Sequence, residues 1–338
     1  MEHNKLPTLS VIIPTFGFRY ELADCLEALL SQYTNQALGE ILICHQGPFY
    51  ENCVKIVEKI SQKYNSKLVN IIRVPGPSSL TFTRNYAARI AKFPILLFLD
   101  DDAIIEKNFI TEIAKFYSYC KDAGAVGGNV LSIDKRTLYT PYIVVAKIFG
   151  FTRPTENRFD ILLTTENTFA YPFTRCVEAG WLSGCAFSVP VDKYIRIKSD
   201  EKLKRYSFKE DIDFSLRLKR YLRKENLKMY VIPTAKVRHL QAKGSRMTGF
   251  PLYLMKESYT WYIFYKDIYF VAASFKGKIS SLAFFLWSRV GKMALKTAEA
   301  LCERNPSIIL YYTKSFIAVL YNLRKILSLN ISFVDYQL

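Results

Sequence analysis

The chain has 338 residues, half of them hydrophobic, and 47 Lys and Arg against 30 Asp and Glu give it a formal net charge of +17. That is enough apolar material for one large core or two smaller ones, and the charge favours anionic partners such as phosphorylated small molecules, nucleic acid or an acidic membrane surface. Seven scattered cysteines without a C-x-x-C pair speak against a disulfide framework and for reduced thiols of a cytosolic protein; the opening "MEHNKLPTLSVIIP" does not read as a secretory signal, and no clean run of about 20 uncharged apolar residues predicts a transmembrane helix. In chain order, "LSVIIP" (9–14) predicts a buried strand, and "ELADCLEALLSQ" (21–32) a helix with Leu22, Leu26, Leu29 and Leu30 on one face. "EILICH" (40–45) is a second strand, "CVKIVEKISQKY" (53–64) a second amphipathic helix, and "LVNIIRVP" (68–75) a third strand stopped by Pro75. "FTRNYAARIAK" (82–92) is a short helix and "PILLFLD" (94–100) a fourth strand. This alternation, with continuous apolar strands, predicts an α/β fold whose mostly parallel sheet is covered on both faces.

The pattern then loosens. "AVGGNVLSI" (125–133) and "TRCVEAGWLSGCAFSVP" (174–190) read as later strands, separated by a stretch without a strong period. "FKEDIDFSLRLKRYL" (208–222) is a helix with acids at its start, which suits the helix dipole, and "MYVIPTAKVRHLQ" (229–241) is a late strand followed by a loop. From about 250 the chain reads as helical, aromatic and basic, with 11 Lys or Arg against 5 acids over 249–338.

The chemistry gathers at three places. In "ILLFLDDDAII" an apolar strand ends in Asp100, Asp101 and Asp102, at the carboxyl edge where open α/β sheets bind ligands. Strand alternation sends Asp100 and Asp102 to one side and Asp101 to the other, and two same-side carboxylates can hold Mg²⁺ or Mn²⁺. "KEDIDF" offers Glu210 and Asp211 either as helix caps or as a general base. "VRHLQAKGSR" places His239 before Lys243 and Arg246, on a loop that could close over a diphosphate, while Arg84 and Asn85 could reach phosphate oxygens from an early helix.

Taken in order, "LSVIIPTF", "CLEALLSQ", "FTRNYAARIAKFPILLFLDDDAII", "VGGNV", "GWLSGCAFSVP", "KEDIDFSLRLKR" and the late "VRH" resemble glycosyltransferase family 2 over roughly residues 8–246. The resemblance implies a GT-A, Rossmann-like sheet flanked by helices, with an α-helical C-terminal extension. With the composition boundary near 250, the chain divides into a catalytic domain, 1–248, and a helical region, 249–338, the former with a nucleotide-sugar half (1–133) and an acceptor half (134–248). The resemblance further implies inverting transfer from a nucleotide-diphosphate sugar, assisted by a divalent ion (Mg or Mn). Asp102, Asp100 and His239 become the metal ligands, and Asp211 becomes the base with Glu210 supporting it. Pro14, Thr15, Gln46, Arg84, Asn85, Asp100, Asp101, Lys243 and Arg246 become donor contacts. Many members carry an aspartate after the second strand, where this chain has His45 and Gln46 in "ICHQGP". Gln both donates and accepts, so it says less about the base: UDP is the default, with GDP or dTDP open. The implied acceptor is a glycan or a lipid-linked acceptor.

Two alternatives use the same features. A magnesium-dependent nucleotidyltransferase would need a phosphate-gripping glycine-rich loop, and "PTFGFRYE" has one glycine. A basic binder of nucleic acid or membrane would leave the acidic clusters without a purpose, so nucleic acid is disfavoured. In "ISSLAFFLWSRVGKMALKTAEAL" (279–301), Leu282, Phe285, Leu286 and Val290 are expected on an apolar face, with Arg289, Lys292 and Lys296 elsewhere. That predicts a helix lying against an anionic membrane, hence a peripheral protein of the cytoplasmic face. Packing on the catalytic domain or a homodimer contact is the competing use of these helices.

Overall fold

A computed structural model describes residues 6–32, 36–132, 135–242 and 247–335. The chain divides into two compact units. One holds the described residues of 1–133 together with 157–159 and 172–245; the other holds those of 134–156, 160–171 and 246–338.

The first unit begins with Leu9–Phe16 (β1), Glu21–Leu30 (α1), Leu38–Gln46 (β2), Tyr50–Lys63 (α2), Val69–Arg73 (β3), Leu80–Ile90 (α3) and Ile95–Leu99 (β4). It continues with Ala103–Ile105 (β5), Phe109–Tyr119 (α4) and Ala123–Val130 (β6). In the second unit come Thr140–Phe149 (α5), Arg153–Thr155 (β7), Asp160–Ile161 (β8) and Asn167–Ala170 (β9). The first unit resumes with Val177–Ala179 (β10), Ala186–Pro190 (β11), Val191–Ile197 (α6), Glu210–Lys224 (α7) and Lys228–His239 (β12). Its nine-stranded sheet runs β10-β12-β6-β11-β4-β1-β2-β3, with β5 paired to β12. Strands β3, β2, β1 and β4 are mutually parallel, whereas β11 runs antiparallel to both β4 and β6. The central strands β1 and β4 are buried almost throughout because both faces of the sheet are covered there. Leu97 and Leu99 join one core with Leu26 and Ile113, and Leu96 and Phe98 join another with Ala87, Tyr194 and Leu218. The sequence places one strand-like stretch at 174–190, but the structure splits it into β10 and β11 around the turn at 180–185. Periodicity carries no strand direction, so the antiparallel β11 was not legible in it.

For the site, the position of β1 matters most. It lies beside β4 in parallel register, Ile12 opposite Phe98, so the loop that follows β1 emerges next to the aspartates that follow β4.

The second unit contains α5, the small sheet β7-β9-β8, and the helices Gly249–Ile263 (α8), Phe275–Cys302 (α9), Ser307–Tyr321 (α10) and Leu323–Leu327 (α11). A π-helical segment, Phe264–Tyr269, follows α8. No helix among the described residues is long and apolar enough to cross a membrane. Part of the middle segment joins this unit because α5 and α9 approach closely: a Cβ on Gly291 would sit 2.3 Å from the Phe149 ring. The face expected for 279–301 is corrected by the packing. Phe285 is buried, stacked on Phe264 at 3.9 Å, and Arg289 is buried as well, paired to Glu257 at 3.4 Å. Lys292 lies over the Phe151 ring at 5.6 Å, and Lys296 pairs with Glu299 at 2.6 Å. The expected cationic outer face is largely turned inward because Glu257 and the aromatic rings offer it better partners than a bare helix pattern can reveal.

Candidate active site

The chain leaves β4 in a tight turn, with the Asp100 amide donating to the Cys185 carbonyl (3.0 Å) and the Ala103 amide to the Asp100 carbonyl (3.1 Å). The three carboxylates part to the two expected sides, although a turn rather than a continued strand carries Asp101 and Asp102. Asp100 and Asp102 both approach His239 Nε2, at 3.8 and 3.1 Å. Asp101 turns the other way and accepts from Thr15 Oγ1 (2.6 Å) and Arg19 (3.0 Å). Their mutual repulsion is therefore offset within the protein. Arg19 also lies 3.8 Å from Asp102, Arg84 lies 3.5 Å from Asp100, and the Ala242 amide donates to Asp102 at 2.8 Å. The carboxylates respond differently. Burial pushes Asp102 up, but the His239 hydrogen bond and charge, the Ala242 amide and Arg19 outweigh it and hold it below its ordinary value. Asp101 is pushed up to about 6 by burial, against the pull of Arg19 and Thr15. Burial likewise raises Asp100 despite Arg84 and His239.

Arg84 joins this cluster to the second one. Its fully buried guanidinium donates to Glu210 Oε1, to Asp100 and, at 2.9 Å, to the Gly184 carbonyl, so two acids from different clusters share one cation. Glu210 is buried, and burial pushes its carboxyl up to about 7 even though Arg84 opposes the shift; the neighbouring Asp211 charge adds to it. Asp211 is less enclosed. It accepts from the Gly184 amide (3.2 Å) and from the Ile212 amide (2.9 Å), and its pKa is raised by burial against those two amides and Arg84. The approach needs a glycine at 184, where a Cβ would lie 2.7 Å from Glu210 Oε1.

Several expected donor contacts form the frame of the site. Thr15 is buried with its hydroxyl on Asp101, and Pro14 is buried within β1. Gln46 donates to the Pro77 carbonyl (2.8 Å) and accepts from the Ser79 amide and Thr83 hydroxyl, both at 2.9 Å. It thereby ties β2 to the start of α3. The Asn85 amide donates to Ser199 O and Glu201 and accepts from Tyr194 and the Ser199 amide, which uses all four of its bonding positions. His45 is buried, donates Nε2–H to the Gly17 carbonyl (2.9 Å), and is pushed down by burial, so it is a neutral anchor for the loop after β1. Lys243 and Arg246 lie outside the described residues.

The donor atoms of Asp100, Cys185 and His239 lie within 4.8 Å of one another, with Asp102 on the same histidine. Burial and the aspartate charges hold the Cys185 thiol well above its ordinary pKa, so it stays protonated and is a poor ligand for a hard cation. Two carboxylates, one of them kept ionised, and an imidazole fit Mn²⁺ or Mg²⁺. The sequence reading missed Arg19 and Gly184. The signal for Arg19 was present: it is the cation in the loop after β1, and neighbouring parallel strands bring that loop to the loop after β4.

Comparisons with known proteins bear on the family and the fold. A family model described as glycosyl transferase family 2 matches residues 10–178, half of the chain. No curated protein matches by sequence. Among solved structures, GalNAc-T7 with UDP, GalNAc and Mn²⁺ superposes with a TM-score of 0.56 at 15% identity, over 90% of this chain and 59% of that one. Residues 1–349 of S. aureus TarS give 0.56 at 15% identity, over 97% and 82%. The mannosyltransferase PcManGT from Pyrobaculum calidifontis, in complex with GDP-Man and Mn²⁺, gives 0.54 at 12% identity, over 94% and 87%. At such identities the likeness establishes the fold.

Proposed function

The chain belongs to glycosyl transferase family 2, and we propose that it transfers a sugar, with inversion, from a nucleoside-diphosphate donor to a hydroxyl of a glycan or lipid-linked acceptor. The observation that carries this reading is the single buried Arg84, which couples the carboxylate–imidazole group of Asp100, Asp102 and His239 to the Glu210–Asp211 pair. Asp100, Asp102 and His239 would hold the divalent ion. When bound, the ion supplies counter-charge to the departing diphosphate. Asp211 is the base: it is the more open of the two acids, and two backbone amides orient its carboxylate. It accepts the proton of the acceptor hydroxyl as that oxygen bonds to the anomeric carbon. The bond from that carbon to the diphosphate oxygen breaks in the same displacement, and the electron pair leaves with the nucleoside diphosphate. Glu210, locked on Arg84, keeps the start of α7 in place. A UDP-sugar is the default donor, in keeping with the UDP bound by GalNAc-T7, and GDP-Man in PcManGT keeps a GDP-sugar open.

The test is a donor panel. Purified protein is incubated with Mn²⁺ or Mg²⁺ and each nucleotide sugar in turn, and slow donor hydrolysis is followed. Release of nucleoside diphosphate from one donor supports transfer. Release of pyrophosphate instead would identify a nucleotidyltransferase.

A further inference from the structure

Helix α9 is built inside out. A surface helix ordinarily buries its apolar stripe and turns its charges to water. In α9, Ser281, Ser288 and Arg289 face the interior of the second unit beside Phe285, and Arg289 is held there by Glu257 and by Ser288 Oγ at 3.3 Å. The outward stripe is Phe275, Ile279, Ala283, Leu286, Val290, Ala294, Thr297 and Leu301, at successive three- and four-residue steps. It carries no charge, and at 1.5 Å per residue it runs for about 39 Å. Phe275 is 78% exposed and Val290 58%. On the flank, Trp287 stacks on Phe149 at 5.0 Å and donates its indole N–H to the Ile148 carbonyl at 3.0 Å. It thereby joins α9 to α5, whose Val144, Val145 and Ile148 are also exposed. A continuous apolar face of this extent is unusual on a protein that stays in water.

Charge identifies what covers it. The exposed positions of α5 and α9 include two charged residues, Lys147 and Lys276, and no acid. In self-association across a two-fold axis those lysines would meet an equally acid-free face. An anionic bilayer offers apolar depth and phosphate charge together. Trp287 suits that boundary, because its N–H is satisfied within the protein and its ring can leave water without stranding a donor.

We propose that α5 and α9 seat the protein in the interfacial layer of an anionic lipid bilayer, with the Phe275–Leu301 stripe toward the acyl chains and Lys147 and Lys276 toward the phosphates. The proposal is independent of the sugar donor. It is tested on the full chain with vesicles of phosphatidylcholine, with and without phosphatidylglycerol, at about 0.1 M salt. Co-sedimentation is expected with the anionic vesicles, together with quenching of tryptophan emission by bromine-labelled acyl chains that Trp287→Phe abolishes. The double variant Leu286→Asp/Val290→Asp should keep its melting temperature and lose at least about tenfold in affinity. Lys147→Gln and Lys276→Gln should each lose about fivefold. If the double variant melts early, the quenching of the unaltered chain still decides. Absence of binding to anionic vesicles overturns the proposal, and so does equal binding to neutral ones. A concentration-dependent dimer that Val290→Asp dissociates, without any vesicle binding, assigns the face to a second copy and overturns it as well.

Discussion

Asp211 and Glu210 are adjacent in the chain yet stand in different surroundings, and the proposed division of work between them rests on that difference. Glu210 is spent on Arg84, whereas Asp211 keeps one side open. Asp211→Asn is expected to leave donor binding nearly unchanged and to lower turnover by about 10²-fold or more; a lost donor affinity with a normal rate per bound complex would pass the role of base to Glu210. Because burial raises the Asp211 pKa, and because the base must be ionised, turnover should fall on the acid side at a higher pH than an ordinary aspartate would give. A pH profile of kcat reads this directly, and an acid limb at or below the usual aspartate range would contradict it. Arg84 is a positioning residue. Arg84→Met leaves Glu210 and Asp100 without their shared cation, and the expected cost is about 3–5 kcal/mol, measured by denaturant unfolding.

At the scale of elements, the start of α7 is held by what lies opposite it. Three acids, Glu210, Asp211 and Asp213, stand in its first turn, where they suit the positive end of the helix. Gly184, in the loop before β11, lets that turn approach. Gly184→Ala is expected to push Glu210 off Arg84, costing about 1–3 kcal/mol and most of the activity, because the new methyl meets the Oε1 atom that Arg84 holds. Unchanged melting and kinetics would show that α7 shifts freely. The start of α3 is held in a similar way. The Ser79 hydroxyl caps it by accepting from the Phe82 amide and donates to the Leu203 carbonyl. Such bonds, with Gln46 and Thr81, tie the loop at 77–79 and the start of α3 to Leu203 and to the end of β2.

For the molecule as a whole, ligand and metal act through linkage. Nucleoside diphosphate with Mn²⁺ should raise unfolding stability by about 2.7 kcal/mol at about a hundred times the dissociation constant. Asp102→Asn should abolish that shift while folding normally, since its carboxylate lies past the end of β4 and its loss leaves the apolar cores intact. A full shift in the variant would remove Asp102 from the metal site. Chelator should stop transfer and cancel that shift without unfolding the chain, because Arg19, Arg84 and His239 already balance the aspartates.

The sequence by itself determined the alternation of strands and helices and the two acidic clusters, because those depend on local periodicity and on the order of short motifs, and the parallel first half of the sheet, because a helix joins each strand there to the next. The aspartates part to the sides that strand alternation suggested, but the turn after β4 and its long-range contacts make that split, not a continued strand. What the sequence could not contain was the set of partners. That Arg19 rather than a metal alone answers Asp101, that one arginine serves both clusters, and that Gln46 and Asn85 spend their amides on the protein all depend on contacts between positions far apart in the chain. The same holds for α9. Its pattern shows an amphipathic helix, but whether Arg289 faces water or Glu257 is a matter of which neighbour supplies a carboxylate, and only packing brings that neighbour within reach.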